Sequence, residues 1–176
     1  MKRIPLVDPA GEPEALRAVF DQLRRTRGAV PGMYRTLAQQ PAVLEAHRAY
    51  FHAALDAGVL PRAFKEKIAY KVARLRSSPY CTGSHARYAL AHGATDAELQ
   101  LIDASDYGTL PAAWAVALEF AEAIVGNDGA VDDALFARMQ AHYSPAEIVE
   151  IAALVAVMEL ACTLAAVFAL QPDQGL

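Results

Sequence analysis

Apolar residues recur at helical spacing along almost the whole chain, and no stretch alternates convincingly between apolar and polar residues. A half-buried strand needs a period of two, whereas a helix that buries one face needs a period near 3.6. The pattern therefore predicts an all-α fold. We expect a single domain over residues 1–176, a bundle of about eight helices, because no segment has the composition of a linker between two domains.

Cap residues and prolines indicate where the helices begin. Ser78, followed by a proline, is typical of an N-cap, and Ser144 repeats the pattern. Thr95 and Glu98 have the spacing of a capping box. The predicted segments are 12–26, 33–38, 41–57, 62–74, 79–90, 95–102, 111–125, 132–141 and 145–170. They form an N-terminal group (about 12–57), a motif group (about 61–91) and a C-terminal group (about 111–170).

The composition argues against several classes of protein. The formal net charge is −4 and the isoelectric point about 5.7, whereas a nucleic-acid groove needs clustered Lys and Arg. Two cysteines cannot form the disulfide framework of a secreted domain, and residues 1–13 lack the apolar run of a signal peptide. We therefore expect a cytoplasmic protein that binds no nucleic acid.

One apolar stretch, residues 151–170, is long enough to span a bilayer. It is rich in alanine, contains Glu159, and has no basic flank that would set an orientation. We expect no membrane association but a helix buried in the core or between subunits. With the apolar segment 111–125, it offers more apolar surface than one small bundle needs, which predicts a homo-oligomer.

A cysteine, a histidine and a glutamate form the constellation that could carry chemistry. Cys81 falls in the first turn of the helix capped by Ser78, where unpaired N–H groups and the helix dipole favour a thiolate. His85 lies four residues later on the same face. Glu66 belongs to the preceding helix, and an antiparallel pair would bring it beside the thiol. The three side chains would form a proton relay around a nucleophile.

Each of these residues also has an ordinary structural interpretation. A lone cysteine is often a small buried hydrophobe, and the histidine could be partly buried without a chemical role. The glutamate could be a solvated charge between Lys65 and Lys67. Ser78 has a sufficient role as an N-cap, and Tyr80 could simply pack.

A metal site is the weaker chemical interpretation. Cys81, His85, His92 and Glu66 could be imagined as ligands, but no second Cys or His pair completes a typical site. The sequence also lacks a Gly-rich phosphate loop and a serine nucleophile elbow. We expect neither a metal nor a cofactor.

The chain resembles the alkylhydroperoxidase D (AhpD)-like, peroxidase-related branch of the carboxymuconolactone decarboxylase superfamily. The resemblance covers roughly residues 30–93, in the runs VPGMYRTLAQQPAVLEAHRAYFHAAL and LPRAFKEKIAYKVARLRSSPYCTGSHARYALAHG, with a looser match in AEIVEIAALVAVMELA. In that family a glutamate precedes a Cys-x-x-Cys pair at a helix start, and a histidine follows four residues after the second cysteine. Glu66, Cys81 and His85 match these positions.

The resemblance implies an AhpD-like helical subunit that assembles into trimers or hexamers. It also implies reduction of hydroperoxides by cysteine thiols, which an external thiol reductant restores. The chain departs from the motif at the first cysteine, where it has Ser78, and Tyr80 stands where the family sometimes has a histidine. A dithiol cycle within the motif is therefore impossible.

Cys162 lies in an apolar helix, where we expect it to pack as a small core residue. It is therefore a poor substitute for the missing thiol. A single-thiol cycle remains, in which Cys81 attacks the peroxide and Glu66 and His85 supply a proton. Two alternatives stay open. One is acid–base chemistry on a small organic acid or lactone, as in the decarboxylase branch, and the other is a non-catalytic oligomeric scaffold.

Overall fold

The computed structural model describes residues 3–11 and 14–173, which contain nine α-helices and no strand. The predicted all-α fold is confirmed, and each of the nine predicted segments corresponds to one of these helices. Most helices begin and end within two residues of the predicted positions. The helices are α1 (Glu14–Arg27), α2 (Gly32–Leu37), α3 (Pro41–Phe51), α4 (Arg62–Leu75), α5 (Pro79–Ala91), α6 (Asp96–Ala104), α7 (Ala112–Gly126), α8 (Asp133–His142) and α9 (Pro145–Val167).

Helix α4 lies at the centre of the bundle, where it packs against α5, α7 and α9. Residues 64–73 are all buried. The apolar residues of α4 at helical spacing are Phe64, Ile68, Val72 and Leu75. The first three are buried, but Leu75 is 39 % exposed, because it is the last residue of α4.

Three lysines of α4 are buried, and each is paired with a carboxylate from another helix. The pairs are Lys65 with Glu150 of α9 (2.7 Å), Lys67 with Glu98 of α6 (2.6 Å) and Lys71 with Glu122 of α7 (2.6 Å). A buried charge without a partner is costly, so these pairs fix the rotation of α4 in the bundle. That rotation directs Glu66 of the same helix toward α5.

The third predicted helix, residues 41–57, is α-helical only as far as Phe51. His52–Asp56 forms a π-helical turn, a widened turn that often accompanies functional sites. No residue pattern in the sequence distinguishes this turn from a continuing α-helix, so the prediction was wrong at this end. The turn places Asp56 against Arg62 at the start of α4.

The reversal between α4 and α5 takes only three residues. Ser77 has a positive φ of 49°, and Ser78 N donates to Ala73 O at 3.0 Å, which closes the end of α4. Helix α5 then returns along α4, as the sequence predicted. The two helices make the most extensive contact among the described elements.

Helix α9 is the apolar segment for which a membrane span was considered. By length and composition alone it could cross a bilayer, but half of its most apolar window is buried inside the bundle. It packs against α4, α5 and α7. The window's other half faces outward.

Candidate functional site

The thiol of Cys81 sits in the first turn of α5, as the sequence predicted. Ser78 caps the helix, and its Oγ accepts a hydrogen bond from Cys81 N at 3.4 Å. The Cys81 side chain is buried. It therefore meets the positive end of the α5 dipole away from bulk water, where the field of that dipole is little screened.

Glu66 and His85 form a buried pair beside this thiol. His85 Nδ1 lies 2.6 Å from Glu66 Oε2, and Arg62 Nε donates to the other carboxylate oxygen at 2.7 Å. Burial pushes the pKa of Glu66 upward, but His85 and Arg62 outweigh it, so the pKa is lowered. An ionised carboxylate only accepts hydrogen bonds, so the Nδ1 atom of His85 carries the proton of this bond. The Nε2 atom of His85 is then available for proton exchange with a substrate.

The surroundings of Cys81 favour its thiolate. A hydrogen bond from the Cys162 thiol is the largest influence and lowers the pKa, burial opposes it, and Ser78 and His85 lower it further. The resulting pKa of Cys81 is about 7, against about 8.5 for an unperturbed thiol. A substantial fraction of Cys81 is therefore nucleophilic at neutral pH.

Cys162 was expected from its sequence context to be a poor partner for Cys81. It is a buried core residue of α9, as predicted, but its thiol meets the Cys81 thiol where α9 crosses the start of α5. The sequence of α9 by itself does not indicate which neighbouring helix the Cys162 thiol will face. The pKa of Cys162 is raised by the hydrogen bond to Cys81 and by burial.

Tyr80 supports the site through the backbone around it. Its hydroxyl donates to Asp173 Oδ2 at 2.9 Å and accepts from Met33 N at 3.0 Å. Asp173 also accepts from Gly32 N at 3.0 Å. Tyr80 thus ties α5, the start of α2 and the C-terminal segment together, which goes beyond the simple packing considered from the sequence.

Cys81 and His85 open onto a small cavity of about 50 Å³. Four aromatic side chains and two arginines, Arg27 and Arg87, are among the residues that line it. Arg27 Cζ lies between 5.3 and 5.9 Å from the centroids of three rings, those of Tyr34, Phe51 and Tyr88. Arg27 and these three aromatic side chains also line a second, wider cleft of about 440 Å³. They therefore lie between this cleft and the cavity that contains the thiol.

His47 is another polar group of the cavity wall. It is buried, and its Nδ1 atom has no hydrogen-bond partner. A buried imidazole nitrogen without a partner is costly unless a ligand or water satisfies it. Burial lowers the pKa of His47, which favours the neutral ring. Sequence spacing did not identify His47 as a residue of the site.

The structure thus brings together Cys81, His85 and Glu66, with Ser78 and Tyr80 beside them. Arg27 and His47 could not have been found from the sequence, because they come from α1 and α3 and have no motif spacing to the thiol. In the ranges 3–11 and 14–173, no cluster of three or more His, Cys, Asp or Glu side chains could hold a metal ion. His92, once considered as a ligand, lies at the outer cleft with its Nδ1 2.8 Å from Tyr88 O.

Comparison with known families agrees with this geometry. Residues 41–123, which include the glutamate, the thiol and the histidine of the site, match the Carboxymuconolactone decarboxylase family. This segment of the chain belongs to the carboxymuconolactone decarboxylase superfamily. Cys162 lies outside the matched residues. No curated protein matches the chain.

Solved structures of AhpD-like proteins share the fold of almost the whole chain. The alkylhydroperoxidase AhpD core from Ralstonia eutropha JMP134, an uncharacterized peroxidase-related protein, superposes with a TM-score of 0.87 at 22 % identity. The alignment covers 98 % of this chain and 93 % of that one. A peroxidase-related protein from Silicibacter sp. TM1040 also gives 0.87, at 19 % identity, over 98 % and 91 % of the two chains.

A third similar structure has a named activity and ligand. It is a cysteine-to-alanine variant of the debrominase Bmp8 in complex with 2,3,4-tribromopyrrole. The TM-score is 0.85 at 19 % identity, over 99 % of this chain and 95 % of that one. At such identities the likeness establishes a shared fold.

Proposed function

We propose that the protein is a thiol-dependent peroxidase that reduces small hydroperoxides through Cys81. The observation that carries the proposal is the arrangement around one cavity: a thiol with a pKa of about 7 and the Glu66–His85 pair beside it. Membership of a superfamily with peroxidase-related relatives supports it.

The reaction follows from these groups. The Cys81 thiolate attacks the distal oxygen of the hydroperoxide, an S–O bond forms, and the O–O bond breaks. His85 gives a proton to the departing alkoxide, and Glu66 stabilises the imidazolium that precedes the transfer. The products are a sulfenic acid at Cys81 and an alcohol. A proton from solvent replaces the one that His85 gave to the alkoxide, which balances the step.

The direct test is peroxide consumption in the presence of a dithiol reductant. Cys81→Ser should abolish it, and His85→Gln should slow it about 100-fold, the usual contribution of a positioned acid. His92→Gln is the matched control, because His92 is an exposed histidine of the same helix region and should leave the rate unchanged. Full turnover by Cys81→Ser would overturn the proposal.

The same experiment separates the two alternatives. Turnover of a small lactone acid by Cys81→Ser would favour acid–base chemistry of the decarboxylase kind, which needs Glu66 and His85 but no thiol. A folded oligomer with neither activity would favour a scaffold.

A second candidate, reductive dehalogenation of a small aromatic ring, is favoured by the aromatic cavity wall. Tyr34, Phe51 and Tyr88 would pack on a flat substrate, and a debrominase shares the fold. The Cys81 thiolate would attack the halogen, so that an S–halogen bond forms, the C–halogen bond breaks and His85 protonates the ring carbon. A dithiol would then reduce the sulfenyl halide, which releases the halide ion and restores the thiol. Release of bromide from a bromopyrrole in the presence of a dithiol tests this, and no release beyond the Cys81→Ser background would contradict it.

We also propose that the protein works as a cytoplasmic homo-oligomer, a trimer or hexamer, and that an external dithiol reduces it. An apolar stripe on α9 supports assembly. Val149, Leu160 and Val167 are exposed, and their spacing of 11 and 7 residues puts them on one line along the helix at about 100° per residue.

A further inference from the structure

The two cysteines of the chain lie 81 positions apart in sequence (162 − 81), yet their thiols meet in the fold. Both side chains are 3 % exposed. Ser78 completes the cluster, since its hydroxyl interacts with both sulfurs. The cluster lies where α9 packs across the start of α5.

This cluster occupies the position where a second thiol is needed. The chain has Ser78 where the resembled motif has its first cysteine, so the thiol that would resolve an oxidised Cys81 is missing from α5. Cys162 approaches the same hydroxyl and the same sulfur from α9.

We propose that Cys162 is the resolving thiol, which forms an interhelical disulfide with Cys81 once Cys81 has been oxidised. The proposal rests on the peroxidase function above, because hydroperoxide is the oxidant that it invokes. It assigns a role to a residue outside the family-matched segment.

The step is balanced without a further oxidant. Cys162 sulfur attacks the sulfur of the Cys81 sulfenic acid, the S–O bond breaks, and hydroxide leaves with the thiol proton as water. The disulfide contains one sulfur from each helix. A dithiol reductant then returns two electrons and two protons, which restores both thiols and leaves the reductant as its own disulfide.

The electrostatics of the pair give the two steps their order. While Cys81 is a thiolate, its charge and its hydrogen bond keep the pKa of Cys162 raised, so Cys162 stays a protonated donor and Cys81 is the nucleophile. Oxidation of Cys81 removes that negative charge. Burial still raises the pKa of Cys162, but the influence of Cys81 is then gone, and the Ser78 hydroxyl and the positive charge of Arg76 lower the pKa.

Access to the site also favours an internal partner. The cavity wall contains Cys81 but not Cys162, and both sulfurs are buried. A sulfenic acid at Cys81 therefore meets Cys162 before it meets a bulky external thiol. The disulfide remains open to a small dithiol on the Cys81 side, the side that faces the cavity.

The experiment treats the reduced full-length protein with one equivalent of hydroperoxide in one arm and with glutathione disulfide in the other. Peptide mass mapping without reduction then measures the Cys81–Cys162 crosslink, and dimedone traps any lasting sulfenic acid. We expect the crosslink in both arms and little dimedone adduct. In Cys162→Ala we expect at least a tenfold increase in dimedone adduct at Cys81, with the first oxidation still occurring.

The two arms separate the two proposals. Peroxide oxidation that stops at a dimedone-reactive Cys81, with no crosslink in either arm, overturns the resolving role and leaves the peroxidase function standing. A crosslink with glutathione disulfide but no reaction with peroxide overturns the peroxidase function and supports the pairing. Cys162→Ser repeats the test with a polar replacement, and circular dichroism verifies that the variant is folded. The crosslink itself is measured in the wild-type protein, so this readout does not depend on the folding of any variant.

Discussion

At the scale of single residues, the sequence predicts most of the site because the key spacings are local. Cys81 and His85 share one helix face, and a three-residue reversal returns α5 along α4 to Glu66. These relations follow from cap chemistry and helical geometry. Cys162 and Arg27 reach the site only through packing of distant helices, and local spacing has no information on such contacts.

Glu66 provides a prediction about pH and stability. Burial raises the pKa of Glu66, but His85 and Arg62 outweigh burial and lower it, so the ionised carboxylate stabilises the fold above the unfolded-state pKa of about 4.3. This contribution is lost as the pH falls below that value toward the lower folded-state pKa. Glu66→Gln should cost about 2 kcal/mol at pH 7, since the hydrogen bonds to a charged group are weakened.

Urea unfolding at pH 7 and at pH 3.5 measures this effect. The difference between wild type and Glu66→Gln should be smaller at the lower pH, because pH 3.5 lies below the unfolded-state pKa of about 4.3 and the unfolded wild-type chain then binds a proton at this carboxylate. Glu45→Gln, at an exposed glutamate of α3, is the control and should change the free energy of unfolding by less than about 0.5 kcal/mol. An equal cost for Glu66→Gln at both pH values would contradict the account.

At the scale of helices and turns, boundaries with a chemical marker are predictable. Helices α5, α6 and α9 begin at the serine or threonine that the sequence indicates, and each of these residues accepts the expected capping hydrogen bond. The π-helical turn after α3 has no such marker, because it depends on how Asp56 is held by arginines of other helices. The burial of the α4 lysines likewise depends on carboxylates from three other helices.

The C-terminal segment provides a prediction at this scale. Asp173 accepts hydrogen bonds from Gly32 N and the Tyr80 hydroxyl and lines the cavity beside Cys81. Asp173→Ala should release this segment from α2 and α5 and increase the rate of Cys81 alkylation by a bulky maleimide several-fold. Asp128→Ala, at an exposed turn far along the chain, should leave the rate unchanged. An unchanged rate in Asp173→Ala would show that the segment does not restrict access.

At the scale of the whole molecule, the helical bundle is predictable because hydrophobic periodicity alone excludes strands. The assembly is a prediction that follows from the outward face of α9. Exposed apolar stripes of this kind are rarely left in water on a soluble protein. The same stripe explains why the helix also satisfies the length and composition of a membrane span.

Light scattering tests the assembly. We expect a mass that is three or six times the 18.9 kDa of one chain. Leu160→Glu places a charge in the α9 stripe and should lower the mass toward that of one chain. Val59→Glu, at an apolar residue that is 72 % exposed in a loop, should leave it unchanged. A wild-type mass of 18.9 kDa would contradict the assembly.

The measurement that tests the peroxidase proposal most directly is the single-turnover reaction of reduced protein with a hydroperoxide, followed from pH 5 to pH 10. If Cys81 is the attacking thiolate, the second-order rate constant should rise with pH, with a midpoint near its pKa of about 7, and Cys81→Ser should show no reaction. A midpoint near 8.5, the value of an unperturbed thiol, or no consumption of peroxide at any pH, would contradict the account.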